Sequence, residues 1–241
     1  MLDIGLLASM VILLTVTTVF IRPWPPGALS AGLLDTTLGA AGLGLLIGRL
    51  TSLALDDPGS LLNVRDVLII RSGVEFWPGA LAATAWLSLR ARREGAAVGQ
   101  RLAALAPAAL VAWGCYEATC LLRDGCPGPL ARLGLRPVGL HRTVFPIGLA
   151  VAGAALLSAV LVDRLSRRRL RAVHVVVITG GLVAAIRSVA SVWLPRIGEG
   201  LTRQHRESLV ALIISTLTLV VMLLVDRPTH LARRAQAQGG P

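Results

Sequence analysis

The sequence contains no lysine; all 24 of its basic residues are arginine. With so much Ala and Gly beside them, this reads as a coding bias towards GC-rich codons. The formal charge of +11 therefore does not argue for nucleic acid. Charges that flank apolar segments set topology and meet anionic lipid instead. Aromatics are scarce, at 4%, so the apolar mass is Leu, Ala and Val, which suits helices. There is no polar segment long enough for a separate soluble domain. The basic n-region of a signal peptide is missing, because only Asp3 precedes the first apolar run, so that run is expected to be retained. No internal repeat and no pair of broken helices is visible, which argues against small-solute transport. The cysteines, Cys115, Cys120 and Cys126, are spaced C-x4-C-x5-C and not C-x2-C, so neither a metal nor another cofactor is expected.

What is present is hydrophobic: 54% apolar residues and a mean hydropathy of +0.72, the range of integral membrane proteins. Seven apolar segments approach the ~20 residues that cross ~30 Å of hydrocarbon. They are Ile4–Ile21, Leu33–Leu55, Val74–Leu89, Leu102–Leu122, Val144–Val162, Ala172–Leu194 and Ser208–Val225. The third is the shortest, and its Pro78 falls in the first turns, where a missing N–H matters least. The expectation is an all-α polytopic bundle of about seven transmembrane helices. It forms one domain over residues 1–234, followed by a disordered tail, 235–241. Arg counts orient it. The side with the R-R-R-L-R run (Arg167–Arg171) carries 13 and the other side 9. The positive-inside rule then places the N-terminus outside and the C-terminus in the cytoplasm.

Ionisable residues inside spans are costly, and mark a functional site or a buried pair. Arg49 lies ~6 residues from the outer end of its segment, about 9 Å deep at ~1.5 Å per residue. Glu117 and Arg187 lie at similar depth in theirs, and Glu75 begins the third. All four are expected in the outer half of the bilayer, with His141 and Arg142 at a loop end on the same side. The bland reading is structural: Arg49–Glu75 or Arg187–Glu117 pairs that only fix packing, or an Arg49 that snorkels. The sharper reading is a polar pocket, since an Arg fork binds phosphate bidentately and phospholipids present phosphate at this depth. Cys120 and Cys126 lie near the outer face, where a disulfide is permitted but not required by the spacing. Cys115 is expected as a buried thiol.

The order of motifs resembles the prolipoprotein diacylglyceryl transferases, membrane enzymes that move diacylglycerol from phosphatidylglycerol to the lipobox cysteine of a lipoprotein precursor. I-G-R-L (Ile47–Leu50) is similar to the family's G-x-R-L. R-S-G-V-E-F-W-P-G-A-L (Arg71–Leu81) is similar to its Gly-Gly-Leu-x-Phe-His-Gly-Gly-Leu segment. Trp113–Gly128 resembles its signature Gly-Arg-Ile-Gly-Asn/Cys-Phe-x-Asn-Gly-x-x-x-Gly. L-H-R-T (Leu140–Thr143) resembles the start of its His-Pro-Thr-Gln-Leu-Tyr-Glu motif. Gly181–Arg196 and Gly200–Leu209 resemble its last two motifs. The resemblance implies a site facing the outer leaflet of the bacterial plasma membrane. Its partners would be a phosphatidylglycerol-like phospholipid and a lipoprotein precursor peptide.

Carried over position by position, the resemblance leaves Arg187 at an essential Arg, with His141 and Gly128 kept. It puts Cys120 at the Asn/Cys position and Arg123 at the second Asn. Glu117 stands where the family has its other essential Arg, Trp77 replaces a His and Pro78 the Gly after it. Pro146 and Ser191 replace a Tyr and a Glu. The expected catalytic set is Arg187, His141 and Glu117, with Arg49, Glu75, Trp77, Cys120, Arg123 and Gly128 binding substrate. In the first reading Arg187 holds the lipid phosphate, while His141 or Glu117 takes the proton of the acceptor thiol. In the alternative, the replaced positions leave a catalytically degenerate relative that binds lipid as a membrane subunit or partner protein.

Overall fold

The computed structural model describes residues 33–63, 74–123, 128–136, 142–168, 170–193 and 201–238, and Thr15 besides. The described chain is mostly helix. Its elements are α1 (Leu33–Asp56), a 3-10 turn (Pro58–Leu62), α2 (Phe76–Arg93), α3 (Val98–Ala118), the short α4 (Cys120–Arg123), a strand β1 (Leu130–Leu135), α5 (Ile147–Arg167), α6 (Ala172–Trp193) and α7 (Arg203–Gln238). The all-α expectation is met apart from β1, which pairs antiparallel with Val144 inside the loop before α5. Helix α7 continues past Ala235, into the segment that composition predicts to be disordered.

Five stretches are long and apolar enough to cross a membrane: Asp35–Asp56, Val98–Leu122, Ile147–Arg167, Ala172–Trp193 and Arg203–Asp226. The architecture is that of a helical membrane protein, with five such spans among the described residues where seven were expected. The first expected span, Ile4–Ile21, lies outside the described residues. The third is a helix, but its last turn carries Arg90, Arg92 and Arg93. Arg is a good helix former and is favourable at a helix C-terminus, so α2 extends beyond the apolar stretch to Arg93. It stops at a Schellman motif. Gly95, at φ 67°, donates its N–H to Arg92 O (3.1 Å), and Ala96 donates to Ala91 O (2.9 Å).

The helices alternate in direction, so their ends collect in two groups. At one end Arg90 lies 3.9 Å from Asp35 and also 3.9 Å from Glu94, which pairs in turn with Arg101. There Asp226 of α7 meets Arg171, just before α6, and His174 of α6, with His174 buried and its Nε2 3.4 Å away. At the other end Asp56, Glu75 and Arg203 meet, joining the end of α1 to the starts of α2 and α7.

Helix α3 is central. Half of its span is buried (50%), and Leu110 and Val111 pack with Ala159 and Val162 of α5 and Val175 of α6. Helix α7 is peripheral: only 6% of its span is buried, as expected of a helix whose apolar sides face lipid. Helices α1 and α2 approach through glycine. A Cβ added to Gly48 would lie 2.6 Å from the Glu75 carbonyl oxygen, and one on Gly79 2.7 Å from the Gly44 carbonyl. Small residues let helix backbones come this close, which is how van der Waals packing replaces the hydrophobic effect in lipid.

That contact gives a paired test. Gly48→Ala is expected to destabilise the protein in detergent by about 1–3 kcal/mol, because the backbone of a packed neighbour must move. Gly42→Ala, with nothing within 4 Å of its new Cβ, is expected to leave the melting temperature unchanged or slightly raised. Equal behaviour of the two variants in a thermal unfolding assay would refute the close α1–α2 contact.

Candidate functional site

The expected charged residues meet at the end of the bundle opposite the Arg-rich loops. Glu75 caps α2 as its N-terminal flanking residue, and its backbone N–H is donated to Gly48 O at 3.0 Å. This fastens the carboxylate against α1 beside Arg49. Both side chains are buried, with Arg49 4% and Glu75 4% exposed. A buried carboxylate needs a cation and hydrogen bonds. Glu75 takes Arg203 of α7, whose Nη2 donates to Oε1 and, at 3.2 Å, to Asp56 at the end of α1. The structure thus gives Glu75 a salt-bridge partner on another helix, Arg203.

Arg187 projects from α6 towards the start of α2. Its guanidinium carbon lies 4.0 Å from the centre of the Phe76 ring. A cation over an aromatic face is worth ~0.5–2 kcal/mol, more when desolvated. Phe76 is itself held edge-on against Trp77, at 5.3 Å, and tilted against Trp113, at 5.9 Å. Among the described residues no carboxylate is within ion-pair distance of Arg187, and its Nε is buried without a hydrogen-bond partner. Glu117, Glu75 and Glu207 nevertheless lie in electrostatic reach. Of the Arg187–Glu117 pair weighed in the structural reading, what is found is an electrostatic interaction beyond ion-pair distance. Glu117 accepts the indole N–H of Trp113, one turn back on α3, at 3.0 Å.

Trp77 is placed by a different contact. Its indole N–H donates to Ser208 Oγ on α7 at 3.1 Å, and Ser208 is 1% exposed. Cys120 and Gly128 belong to another part of this end. Cys120 is disulfide-bonded and buried, while Cys115 is a free thiol; Cys126 lies outside the described residues. A Cβ on Gly148 of α5 would strike Cys120 Sγ (2.6 Å) and the Glu117 carbonyl (3.0 Å), so α5 starts hard against the end of α3. A Cβ on Gly128 would lie 1.9 Å from Phe145 O, which requires glycine there. Arg123 ends α4, and its side chain lies outside the described residues, as does His141.

The structure thus brings Arg187, Glu117, Glu75, Trp77 and Arg49 to one end of the bundle. It sets Cys120 and Gly128 at the neighbouring α3–α5 junction. Sequence reasoning missed Arg203, Asp56, Glu207, His205 and Phe76. The first four sit at span ends, where a charge or a His reads as interfacial. Phe76 reads as core, and only its contact with Arg187 says otherwise. Among the described residues no cluster of His, Cys, Asp and Glu is arranged to hold a metal. Among known proteins, no family model matches the chain and no curated sequence matches it.

Removing the cation of the buried pair is the test of this geometry. Arg203→Met leaves Glu75 buried without its partner and is expected to cost about 1–3 kcal/mol, moderated because Arg203 is partly exposed. Adding Glu75→Gln to Arg203→Met is expected to recover much of that loss. A double variant less stable than Arg203→Met alone in thermal unfolding would show that Glu75 is held by something else.

Proposed function

We propose that this protein binds a phosphatidylglycerol-like phospholipid through Arg187 and moves its diacylglyceryl group to the cysteine thiol of a lipoprotein precursor peptide. This is the reaction that the sequence resemblance implies. The observation that carries the reading is Arg187 itself: a guanidinium inside a span, braced on Phe76, with its charge not consumed by a close carboxylate. Such a group supplies planar, bidentate donors to a phosphate. A second feature supports it. An apolar groove of about 300 Å³ runs between α5 and α6, lined by Phe145, Ile147, Val151, Ile186, Val189 and Trp193. It lies at the same end of α6 as Arg187 and suits an acyl chain.

In this reading the bundle end that holds Arg187 faces outward, in the plasma membrane of a bacterium. Two features agree. The opposite end carries the dense Arg loops, which the positive-inside rule keeps in the cytoplasm. Cys120, at the Arg187 end, is disulfide-bonded, which belongs to an oxidising compartment.

The chemistry is a displacement at carbon. The acceptor thiol gives its proton to a base at the site, for which Glu117 is one candidate. The thiolate attacks the glyceryl carbon that bears the phosphate ester. The C–S bond forms, the C–O bond breaks, and the electron pair leaves on the phosphate of the departing glycerol phosphate. Charge grows on that phosphate as the bond breaks, and a preorganised cation such as Arg187 stabilises it.

One observation favours the lipid-binding alternative: three carboxylates, Glu75, Glu117 and Glu207, act on the charge of Arg187 and oppose an incoming phosphate. The two readings part in one assay. Purified protein is incubated with phosphatidylglycerol and a lipobox peptide, and lipidated peptide and free glycerol phosphate are measured. Product is expected from the wild type, with Arg187→Gln slower by about 10²–10³-fold. No product from the wild type, while a known transferase succeeds in the same mixture, would overturn the transfer reaction. Phospholipid retained by the wild type but lost from Arg187→Gln would then leave the lipid-binding role standing.

A further inference from the structure

We infer that His205 is the group that takes the proton from the acceptor thiol. The inference rests on the transfer reading above. His205 lies in the first turn of α7, which Thr202 caps: the His205 backbone N–H donates to Thr202 Oγ1 at 3.3 Å. Its ring reaches across to α6, where Nδ1 lies 2.7 Å from Ser191 Oγ. That serine hydroxyl also lies 2.9 Å from the Ser188 carbonyl.

The Ser191 hydroxyl has one hydrogen, which goes either to Ser188 O or to His205 Nδ1. We direct it to Ser188 O, a carbonyl that only accepts. The Ser191 oxygen is then an acceptor towards His205, and the hydrogen between them must sit on Nδ1. A neutral imidazole carries one N–H and one lone pair. With the hydrogen on Nδ1, the lone pair is on Nε2. Ser188 and Ser191 are each 5% exposed, which limits the access of water to the serine side of these bonds. The serine therefore acts as the orienting partner of a base, the role a second group plays in other proton-transfer sites.

The location is right for the reaction. Ser191 is one turn beyond Arg187 on the same face of α6, about 6 Å along the axis. On α7, His205 lies between Arg203, which holds Glu75, and Glu207, which acts on Arg187. Ser208, on the next turn, holds Trp77. The proton balance closes: Nε2 takes the thiol proton, the thiolate displaces glycerol phosphate, and the imidazolium returns its proton to that leaving group.

Two measurements on the full chain in lipid nanodiscs test this. Nitrogen NMR of histidine-labelled protein reads the tautomer. The Nδ1–H form of His205, assigned by its absence from His205→Gln, is expected. An Nε2–H form would mean that Ser191 donates to the ring, and would overturn the proposal. In the transfer assay, His205→Ala is expected to lower kcat by about 10²–10⁴-fold with KM little changed. Added imidazole is expected to restore part of the rate. Ser191→Ala, which keeps the ring but frees its orientation, is expected to lose less. Wild-type kcat in His205→Ala, or a loss that imidazole does not relieve in protein that still binds phospholipid, would overturn the role of His205 alone. No product from the wild type would overturn the transfer reading, and this role with it.

Discussion

The bundle depends on one buried carboxylate. Glu75 is 4% exposed at the start of α2, so its charge is largely removed from solvent. Leaving it unpaired there costs several kcal/mol, so the chain must deliver a cation. Arg203 arrives from α7, far along the sequence, and brings Asp56 of α1 with it. This contact matters because α2 and α7 meet little elsewhere. Helices α1 and α2 form one close-packed pair through glycine, and α6 and α7 form another. The ion pair fastens the two pairs together at one end while α3 separates their middles. It also sets the height at which α2 begins, and so where Phe76 and Trp77 sit.

From that height the rest of the site follows. Phe76 lies under Arg187, and Trp77 reaches Ser208. Trp113 fills the space beside Phe76 and turns its indole N–H to Glu117. Each polar group is held by a neighbour on another helix or one turn away, as a site in a low-dielectric setting requires. The arrangement rations contact to Arg187. An aromatic face stabilises a guanidinium without neutralising it, whereas a carboxylate at 3 Å would do both. Glu117 is kept off by its bond to Trp113, and Glu75 by its bond to Arg203.

Much of the helical layout was legible because apolar length is a strong signal. The segments expected at Leu33–Leu55, Ala172–Leu194 and Val144–Val162 recur as α1, α6 and α5 within a few residues at most ends. The helix ends were less legible. Arg90, Arg92 and Arg93 read as loop, yet they extend α2, since helix propensity and the C-terminal dipole do not require hydrophobicity. Thr202 to Glu207 read as loop for the same reason, yet Thr202 caps α7 there. The strand β1 was invisible, because a short pairing inside a Gly- and Pro-rich loop has no periodicity of its own. In the site, the convergence of Arg187, Glu117 and Glu75 was legible from depth alone. Their partners were not. Depth says which residues share a level, not which helices are neighbours, and it was the α2–α7 contact that gave Glu75 to Arg203.

The stretch Trp113–Gly128 holds both a carboxylate and a structural junction, and these are coupled. Trp113 and Glu117 are one helical turn apart, so the indole–carboxylate bond requires α3 to stay helical through that turn. Thr119 ends the helix two residues later, and Cys120, bonded through its sulfur, seats against Gly148 of α5. The disulfide and the glycine contact therefore clamp the turn that orients Glu117. A carboxylate clamped in this way is set in position by the most buried of the spans. Glu207 is set differently, on α7, whose span is only 6% buried, although its neighbour Ser208 is 1% exposed. The start of α7 carries both this carboxylate and the imidazole of His205, and Arg203 and Ser208 tie it to α2.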